Sequence, residues 1–324
     1  MKSFNHVNAK TVDEAVKTLQ RYKGKAKLNA GGTDLIGVLK HRILPDWPEA
    51  IINIKTIPGL NKIQEDAEGL KVGALTKLSD IADSEVVRRK YKLLAEAAEA
   101  VATPQIRNMA SVGGNLCQDV RCWYYRYPHY IGGRLICRRK GGKTCYAIEG
   151  DNRYHSIFGA SNGCVAVNPS DIAVALLALG AKIKIASPRG TRIISVEGFF
   201  NGLRSVLKSD EMVTEVQVPR PSDRARQTFL KFRSRQAIDF ASVSVASVIT
   251  VNNGTCEEAR IVLGAVAPRP FRATAAENEI KGKVVNDAAA EVTAEAAVVD
   301  ARPLNKNTYK VRIIKELVKR ALLS

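Results

Sequence analysis

The feature that most limits the possible folds is an aperiodic, cysteine-rich stretch in the middle of the chain, residues 119–164, here called the cysteine segment. It is rich in Gly, Arg, Lys and Tyr, and it interrupts a sequence otherwise patterned as strands and helices. A long stretch without hydrophobic periodicity inside a compact domain is usually functional or disordered. Five of the six cysteines fall between positions 117 and 164. Thiol ligation of a metal or cluster is therefore the leading interpretation of this segment.

Size and charge exclude several classes of protein. A chain of 324 residues, 45% of them hydrophobic, can bury a large core and predicts more than one domain. No apolar run approaches the roughly 18 residues needed to span a bilayer. The N-terminus has neither an apolar signal core nor a twin arginine, which predicts a cytoplasmic protein or one exported folded with a signal-bearing partner. The net charge of +18 is spread along the chain, which favours a basic surface or an acidic protein partner over nucleic acid.

Patterning outside the cysteine segment predicts strands and helices in mixed order. Thr11 and Glu14 have the spacing of a capping box before an amphipathic helix. Residues 171–180 form an apolar helical pattern, and residues 229–232, 242–251 and 259–266 are typical of strands. Because no steady βαβ alternation is visible, the sequence predicts an α+β fold.

Two glycine turns suggest a nucleotide. They are Ala30-Gly31-Gly32-Thr33-Asp34 and Ser111-Val112-Gly113-Gly114-Asn115. Glycine lets backbone N–H groups approach a pyrophosphate closely, because it has no Cβ and tolerates positive φ. Neither turn matches Gly-x-Gly-x-x-Gly, so the Rossmann fingerprint is absent. Each turn taken alone is more often an ordinary turn.

Several strings together resemble the medium, FAD-binding subunits of the molybdenum hydroxylases, such as carbon monoxide dehydrogenase, xanthine dehydrogenase and bacterial aldehyde oxidoreductases. Residues 30–35 look like their first flavin loop, and residues 105–116 look like the second. Residues 73–76 resemble the segment between these loops, while residues 169–171 and 309–322 resemble later motifs. The resemblance covers nearly the whole chain in the right order.

The resemblance implies a fold and a domain division. Residues 1–57 and 58–220 would be the two subdomains of a vanillyl-alcohol-oxidase-type FAD-binding fold, the second carrying the cysteine segment as an insertion. Residues 221–324, which begin at Pro221, would form a C-terminal α+β domain of sheet and helices.

It also implies contacts to FAD. The first glycine loop would line the pyrophosphate and ribose, and the second would contact phosphates or ring. Asp171 would form a hydrogen bond with the adenosine or ribityl part of FAD. Met212 or Val213 would pack near the ring, and Lys231 would approach its polar edge, an ordinary surface lysine being the equal alternative. The predicted cofactor residues are Lys27, Leu28, Asn29, Ala30, Gly31, Gly32, Thr33, Asp34, Leu35, Thr76, Ser111, Gly113, Gly114, Asn115, Asp171, Met212, Val213 and Lys231.

A subset of the family, including 4-hydroxybenzoyl-CoA reductase and a periplasmic aldehyde oxidoreductase, carries a [4Fe-4S] cluster in such an insertion. Four thiolates usually hold such a cluster. The predicted ligands are Cys122, Cys137, Cys145 and Cys164, with His155 in reserve for the last. Their spacing lacks the Cys-x2–4-Cys knuckle of structural zinc sites, and inert thiols are the remaining alternative.

Other residues of the cysteine segment and its surroundings support this interpretation. Cys117 and Cys256 are interpreted as structural. Basic side chains would offset the cluster's negative charge if they lie close to it. They are Arg121, Arg126, Arg134, Arg138, Arg139, Lys140, Lys143 and Arg153.

The resulting hypothesis is an electron-transfer flavoprotein subunit with no catalytic residue of its own. The resemblance implies a large molybdenum-cofactor subunit that does the substrate chemistry, a small [2Fe-2S] subunit, and an external electron carrier. The alternative is a zinc-stabilised basic binding protein without flavin, whose surface would meet nucleic acid.

Overall fold

The computed structural model describes residues 2–133 and 135–324, so Arg134 of the basic group lies outside the described residues. The strands are β1 (Asn5–Asn8), β2 (Ala26–Asn29), β3 (Ala50–Asn53), β4 (Ile63–Asp66), β5 (Gly69–Gly73), β6 (Lys182–Ser187), β7 (Gly190–Ser195), β8 (Phe200–Asn201), β9 (Arg204–Ser205), β10 (Met212–Pro219), β11 (Ala225–Phe232), β12 (Val243–Asn252), β13 (Thr255–Gly264) and β14 (Phe271–Arg272). The helices are α1 (Val12–Arg21), α2 (Leu35–Lys40), α3 (Leu78–Asp83), α4 (Glu85–Lys90), α5 (Lys92–Glu99), α6 (Pro104–Arg107), α7 (Val112–Leu116), α8 (Trp123–Arg126), α9 (Asp171–Ala178), α10 (Val196–Phe199), α11 (Thr274–Ile280), α12 (Asp287–Ala296) and α13 (Tyr309–Leu323).

The first sheet is a small parallel one in the order β1-β3-β2. Helix α1 follows β1, and its N-cap Thr11 accepts a hydrogen bond from the Glu14 backbone N–H at 3.1 Å, as the predicted capping box requires. Glu14 reaches back to the Lys10 backbone N–H at 2.7 Å. This part alternates β-α-β-α-β, but the alternation does not continue along the rest of the chain, in agreement with the prediction of no steady βαβ pattern.

The second sheet is antiparallel, in the order β4-β5-β10-β6-β7. Helix α9 is buried along its whole length and packs between this sheet and the third, so the predicted apolar helix is confirmed. Central strand β10 shifts register between Val213 and Glu215. Such irregularities often re-aim side chains near binding sites, and this one lies where the strand enters the cavity described below.

The third sheet is an antiparallel meander in the order β11-β12-β13-β14, covered by α11, α12 and α13. Its strands overlap all three strands predicted in this part of the chain. In α13 the buried apolar side chains recur at helical spacing, at residues 314, 317, 318, 321 and 322. The chain therefore combines separate sheets with helices that pack on their faces, and the predicted α+β class is confirmed. None of the helices in the described residues is long and apolar enough to cross a membrane.

The cysteine segment is anchored at both ends. It contains the short helix α8 and a 3-10 turn at Arg138–Lys140. Its far end inserts Ile157 and Phe158 into the core of the C-terminal sheet, where the Phe158 ring stacks on that of Phe271 with 4.1 Å between centroids. The fully buried amide of Asn307 donates to three backbone carbonyls of this end, those of residues 152, 155 and 156. The segment is therefore held by the domain that follows it.

Candidate functional site

A long cavity of about 1280 Å³ runs between the sheets. Its wall includes both predicted glycine loops, the start of β10, and the loop after β11. Ligand cavities usually measure roughly 300–1,000 Å³, so this one has room for an extended molecule such as a dinucleotide.

The two glycine loops touch each other at positions where only glycine fits. A Cβ built on Gly31 would stand 1.8 Å from the backbone oxygen of Met109, which lies in the second flavin loop, two residues before its glycine turn. Gly32 has φ +72°, a conformation that favours glycine. A Cβ on Gly113 would stand 2.9 Å from the Ala74 carbonyl oxygen. A Cβ on Gly114 would meet only the Ser111 hydroxyl, so the backbone there is otherwise open.

Every predicted cofactor residue except Thr76 lines this cavity. Thr76 is fully buried behind it and donates to the Lys62 carbonyl oxygen at 3.4 Å. Asn115 is fixed by Ser170, whose hydroxyl donates to its side-chain oxygen at 2.5 Å. Cys117, interpreted as structural, instead exposes its side chain in the cavity wall.

Lys231 and Asp171 form an ion pair across the seam between the two domains. The Lys231 ammonium lies 2.6 Å from Asp171 Oδ2, and the side chains are only 5% and 6% exposed. Lys231 also donates to the Ala100 carbonyl oxygen at 2.9 Å, which leaves one of its three N–H groups for a ligand. Burial raises the pKa of Asp171 above its ordinary value, and the cations of Lys231 and Arg233 oppose this rise.

Asp34 of the first glycine loop is bound by the cysteine segment. Its Oδ1 lies 2.9 Å from Arg121 Nη1 and 2.7 Å from Arg126 Nη2. Its Oδ2 accepts the Asp119 backbone N–H at 2.8 Å. Asp119 is itself paired with Arg139 and accepts the Tyr125 hydroxyl at 2.5 Å. Three of the arginines expected to offset cluster charge are therefore engaged with carboxylates beside the cavity.

The four predicted metal ligands are neighbours. The Cys164 thiol donates to Cys145, which lowers the pKa of Cys145 to about 5 and raises that of Cys164. Burial raises the pKa of Cys122 to about 11, and the nearby Cys137 and Cys145 add to the rise. No group of three or more His, Cys, Asp or Glu side chains within residues 2–133 and 135–324 is arranged to hold a metal ion. The ligand set therefore stays a prediction.

His155, the reserve ligand, also faces this group. Its Nε2 lies 3.2 Å from Cys122 Sγ, and its buried Nδ1 has no hydrogen-bond partner in the part of the chain that the structure describes. Burial, aided by the charge of Lys310, lowers the pKa of His155 to about 4, so the ring is neutral at pH 7. The choice between Cys164 and His155 stays open because both lie beside the other cysteines.

Sequence reasoning missed part of the cavity wall. Trp47 stands in a Pro-Asp-Trp-Pro turn, which is a signal for an ordered loop that could have been weighed. The other contributions come from side chains whose position depends on tertiary packing alone, including Gln118, Arg121, Phe200 and Phe240.

Comparison with known proteins shows the family to which the chain belongs. The family described as the FAD binding domain in molybdopterin dehydrogenase matches residues 2–221, and the CO dehydrogenase flavoprotein C-terminal domain matches residues 228–324. The aldehyde oxidoreductase FAD-binding subunit PaoB of Escherichia coli is 34% identical over 97% of this chain and 96% of its own length. The chain belongs to the FAD-binding subunits of the molybdenum hydroxylase family.

One further relative and one solved structure support the same family assignment. The carbon monoxide dehydrogenase medium chain of Hydrogenophaga pseudoflava is 28% identical over 98% of this chain and 96% of its own length. A solved carbon monoxide dehydrogenase structure from the same organism superimposes with a TM-score of 0.78 at 28% identity, covering 99% of this chain and 96% of that one. The predicted order, an FAD-binding domain followed by a C-terminal flavoprotein domain, is confirmed. As an FAD-binding oxidoreductase subunit, the chain does not correspond to the alternative, a zinc-stabilised protein without flavin.

Proposed function

We propose that this chain relays electrons through FAD between a [2Fe-2S] subunit and an external carrier, within a complex whose large subunit holds the molybdenum cofactor. The supporting observation is the cavity that both glycine loops enclose. Bound FAD would exchange electrons in pairs or singly, which is the chemistry that such a relay needs.

The chain's own residues would bind and orient this cofactor. Gly31 and Gly113 leave no room for a side chain, so the loops pack closely into one wall of the cavity, from which the first loop would offer its backbone N–H groups to a pyrophosphate. Lys231 would place its remaining N–H toward the ring's polar edge. Its ion pair with Asp171 holds the ammonium still, so the cation is preorganised to favour a more negative flavin.

The cysteine segment would hold a [4Fe-4S] cluster on Cys122, Cys137, Cys145 and Cys164, with His155 as the alternative to the last. Two observations support this proposal: the thiols interact with one another, and Arg139 lies near enough to Cys164 for the two side chains to interact electrostatically. Four sulfur donors suit an iron–sulfur cluster better than a hard cation.

Flavin and iron content of the purified complex test these proposals separately. We expect a flavin absorption band and about four non-haem irons for each copy of this chain beyond those of the [2Fe-2S] centres. Cys145→Ser should remove the additional irons and keep the flavin. Cys256→Ser, which alters a buried thiol of β13 outside the segment, should keep both. Iron that never exceeds the [2Fe-2S] content would refute the cluster, and a complex without flavin would refute the relay.

The fourth ligand can be assigned with two more variants. Cys164→Ser and His155→Ala each remove one candidate from the same group of side chains. The variant that loses the additional irons identifies the ligand, and loss in Cys164→Ser alone is the expected result.

A further inference from the structure

Arg121 lies where the cysteine segment forms part of the cavity wall, immediately before Cys122. Its Nη1 is 2.9 Å from Asp34 Oδ1, and its Nη2 donates to Gln118 Oε1 at 3.0 Å. The guanidinium carbon lies 4.9 Å from the centre of the Phe240 ring, which lines the same cavity. These contacts hold the guanidinium in one place.

Two observations indicate that the partners of Arg121 are incomplete. Its Nε is buried, and no hydrogen-bond partner faces it among the residues that the structure describes. The carboxylate of Asp34 is shared with Arg126, while Asp119 is occupied by Arg139, so this wall carries more positive than negative charge. An unpaired buried donor on a cation costs stability unless an acceptor meets it.

We propose that Arg121 is a cofactor-binding residue supplied by the cysteine segment, which binds an oxygen of FAD. The proposal rests on FAD occupying the cavity, as proposed above. The cofactor offers two kinds of oxygen to a guanidinium: those of the pyrophosphate and the carbonyl oxygens of the flavin ring. Since Arg121 directly precedes Cys122, one peptide unit then joins a flavin contact to a cluster ligand.

Arg126 provides a matched control. It has the same charge, flanks Cys122 on the other side and binds the same oxygen of Asp34, but its side chain does not line the cavity. Arg121→Gln leaves Asp34 bonded to Arg126 and to the Asp119 backbone N–H, so the loop keeps two of its anchors. A residue that acts only through Asp34 would give the same result in both variants.

The experiment is a titration of the flavin-free full chain with FAD, followed by fluorescence. We expect Arg121→Gln to weaken FAD binding by about tenfold to hundredfold, the loss typical of a hydrogen bond to a charged group. Arg126→Gln should weaken it several-fold less, and Arg121→Lys should recover part of the loss. Unfolding of the flavin-free variants, followed by circular dichroism, shows whether each one is folded, and Arg121→Lys takes the place of the glutamine variant if that one is not.

The reduction potential of bound flavin separates the two kinds of oxygen. A contact to the ring would be stronger with the reduced, more negative flavin, so a lower reduction potential in Arg121→Lys places the contact at the ring. An unchanged reduction potential places it at the pyrophosphate. Equal losses in Arg121→Gln and Arg126→Gln, or no loss in Arg121→Gln, would overturn the proposal. A wild-type chain that binds no FAD would instead refute the proposed function.

Discussion

Replacing Lys231 by Met should destabilise the flavin-free chain severely. The ammonium lies 2.6 Å from Asp171 Oδ2, and both side chains are almost fully buried. Removing one member of a buried pair leaves the other charge uncompensated, which costs about 3–5 kcal/mol. At roughly 2–4 °C of melting temperature for each kcal/mol, we expect a decrease of roughly 6–20 °C. Thermal unfolding followed by circular dichroism measures it.

The double variant Lys231→Met, Asp171→Asn is the control, because it removes the orphaned charge together with its partner. It should recover about half of the loss or more, since residues in direct contact give strongly non-additive effects. A decrease below about 2 °C in Lys231→Met, or a double variant whose loss equals the sum of the single losses, would contradict a buried charge pair.

The loss should also depend on pH. Burial raises the folded-state pKa of Asp171 above its ordinary value of 3.8, and losing Lys231 raises it further. An acid with a raised folded-state pKa holds its proton more tightly in the folded protein, so stability falls as pH rises through the interval between the two values. The Lys231→Met defect should therefore be larger at pH 8 than at pH 5, and the double variant should lack this slope.

Three further predictions concern the loops and the C-terminal anchor. Gly31→Ala should abolish flavin retention, because its Cβ would overlap the Met109 carbonyl oxygen, whereas Gly37→Ala, whose Cβ would meet nothing within 4 Å, should retain flavin and serve as the control in absorption spectra. Asn307→Ala should expose the cysteine segment to limited proteolysis, because the Ser156 carbonyl loses its donor and the carbonyls of residues 152 and 155 each lose one of two; wild-type cleavage rates would contradict this. Burial lowers the pKa of Lys310 from 10.5 to about 7, so between these pH values the lysine is neutral in the folded chain and charged in the unfolded chain, and stability rises with pH. Lys310→Met should flatten this rise, and an unchanged pH profile of stability would refute the prediction.

Much of the cofactor site could be predicted from local sequence, because the proposed binding of FAD depends largely on backbone groups in glycine turns. Two glycine turns and one capped apolar helix are local patterns, and nearly all the cofactor residues predicted from the sequence do line the cavity. Thr76 lies behind the wall because alternation along a strand and turn does not reveal which face a cavity will use.

Partners that lie far apart in the chain could not be predicted in this way. The sequence alone suggested that Arg121, Arg126 and Arg139 would surround a cluster. In the fold they bind Asp34 and Asp119, and the pairing depends on how the segment returns to the first glycine loop, some 85 residues earlier. Charge attraction is not specific in sequence, so only the packing decides which carboxylate meets which arginine.

The cysteine segment shows the same division. Its composition alone marked the segment as functional or disordered, and it singled out the thiols. Tertiary structure decided that Cys122, Cys137, Cys145 and Cys164 are neighbours, that His155 joins them, and that the segment's two ends are fixed to the first glycine loop and the C-terminal domain. The physical reason is that ligand types and backbone freedom are local properties, whereas the distance between side chains far apart in sequence is set by the burial of the sheets between them.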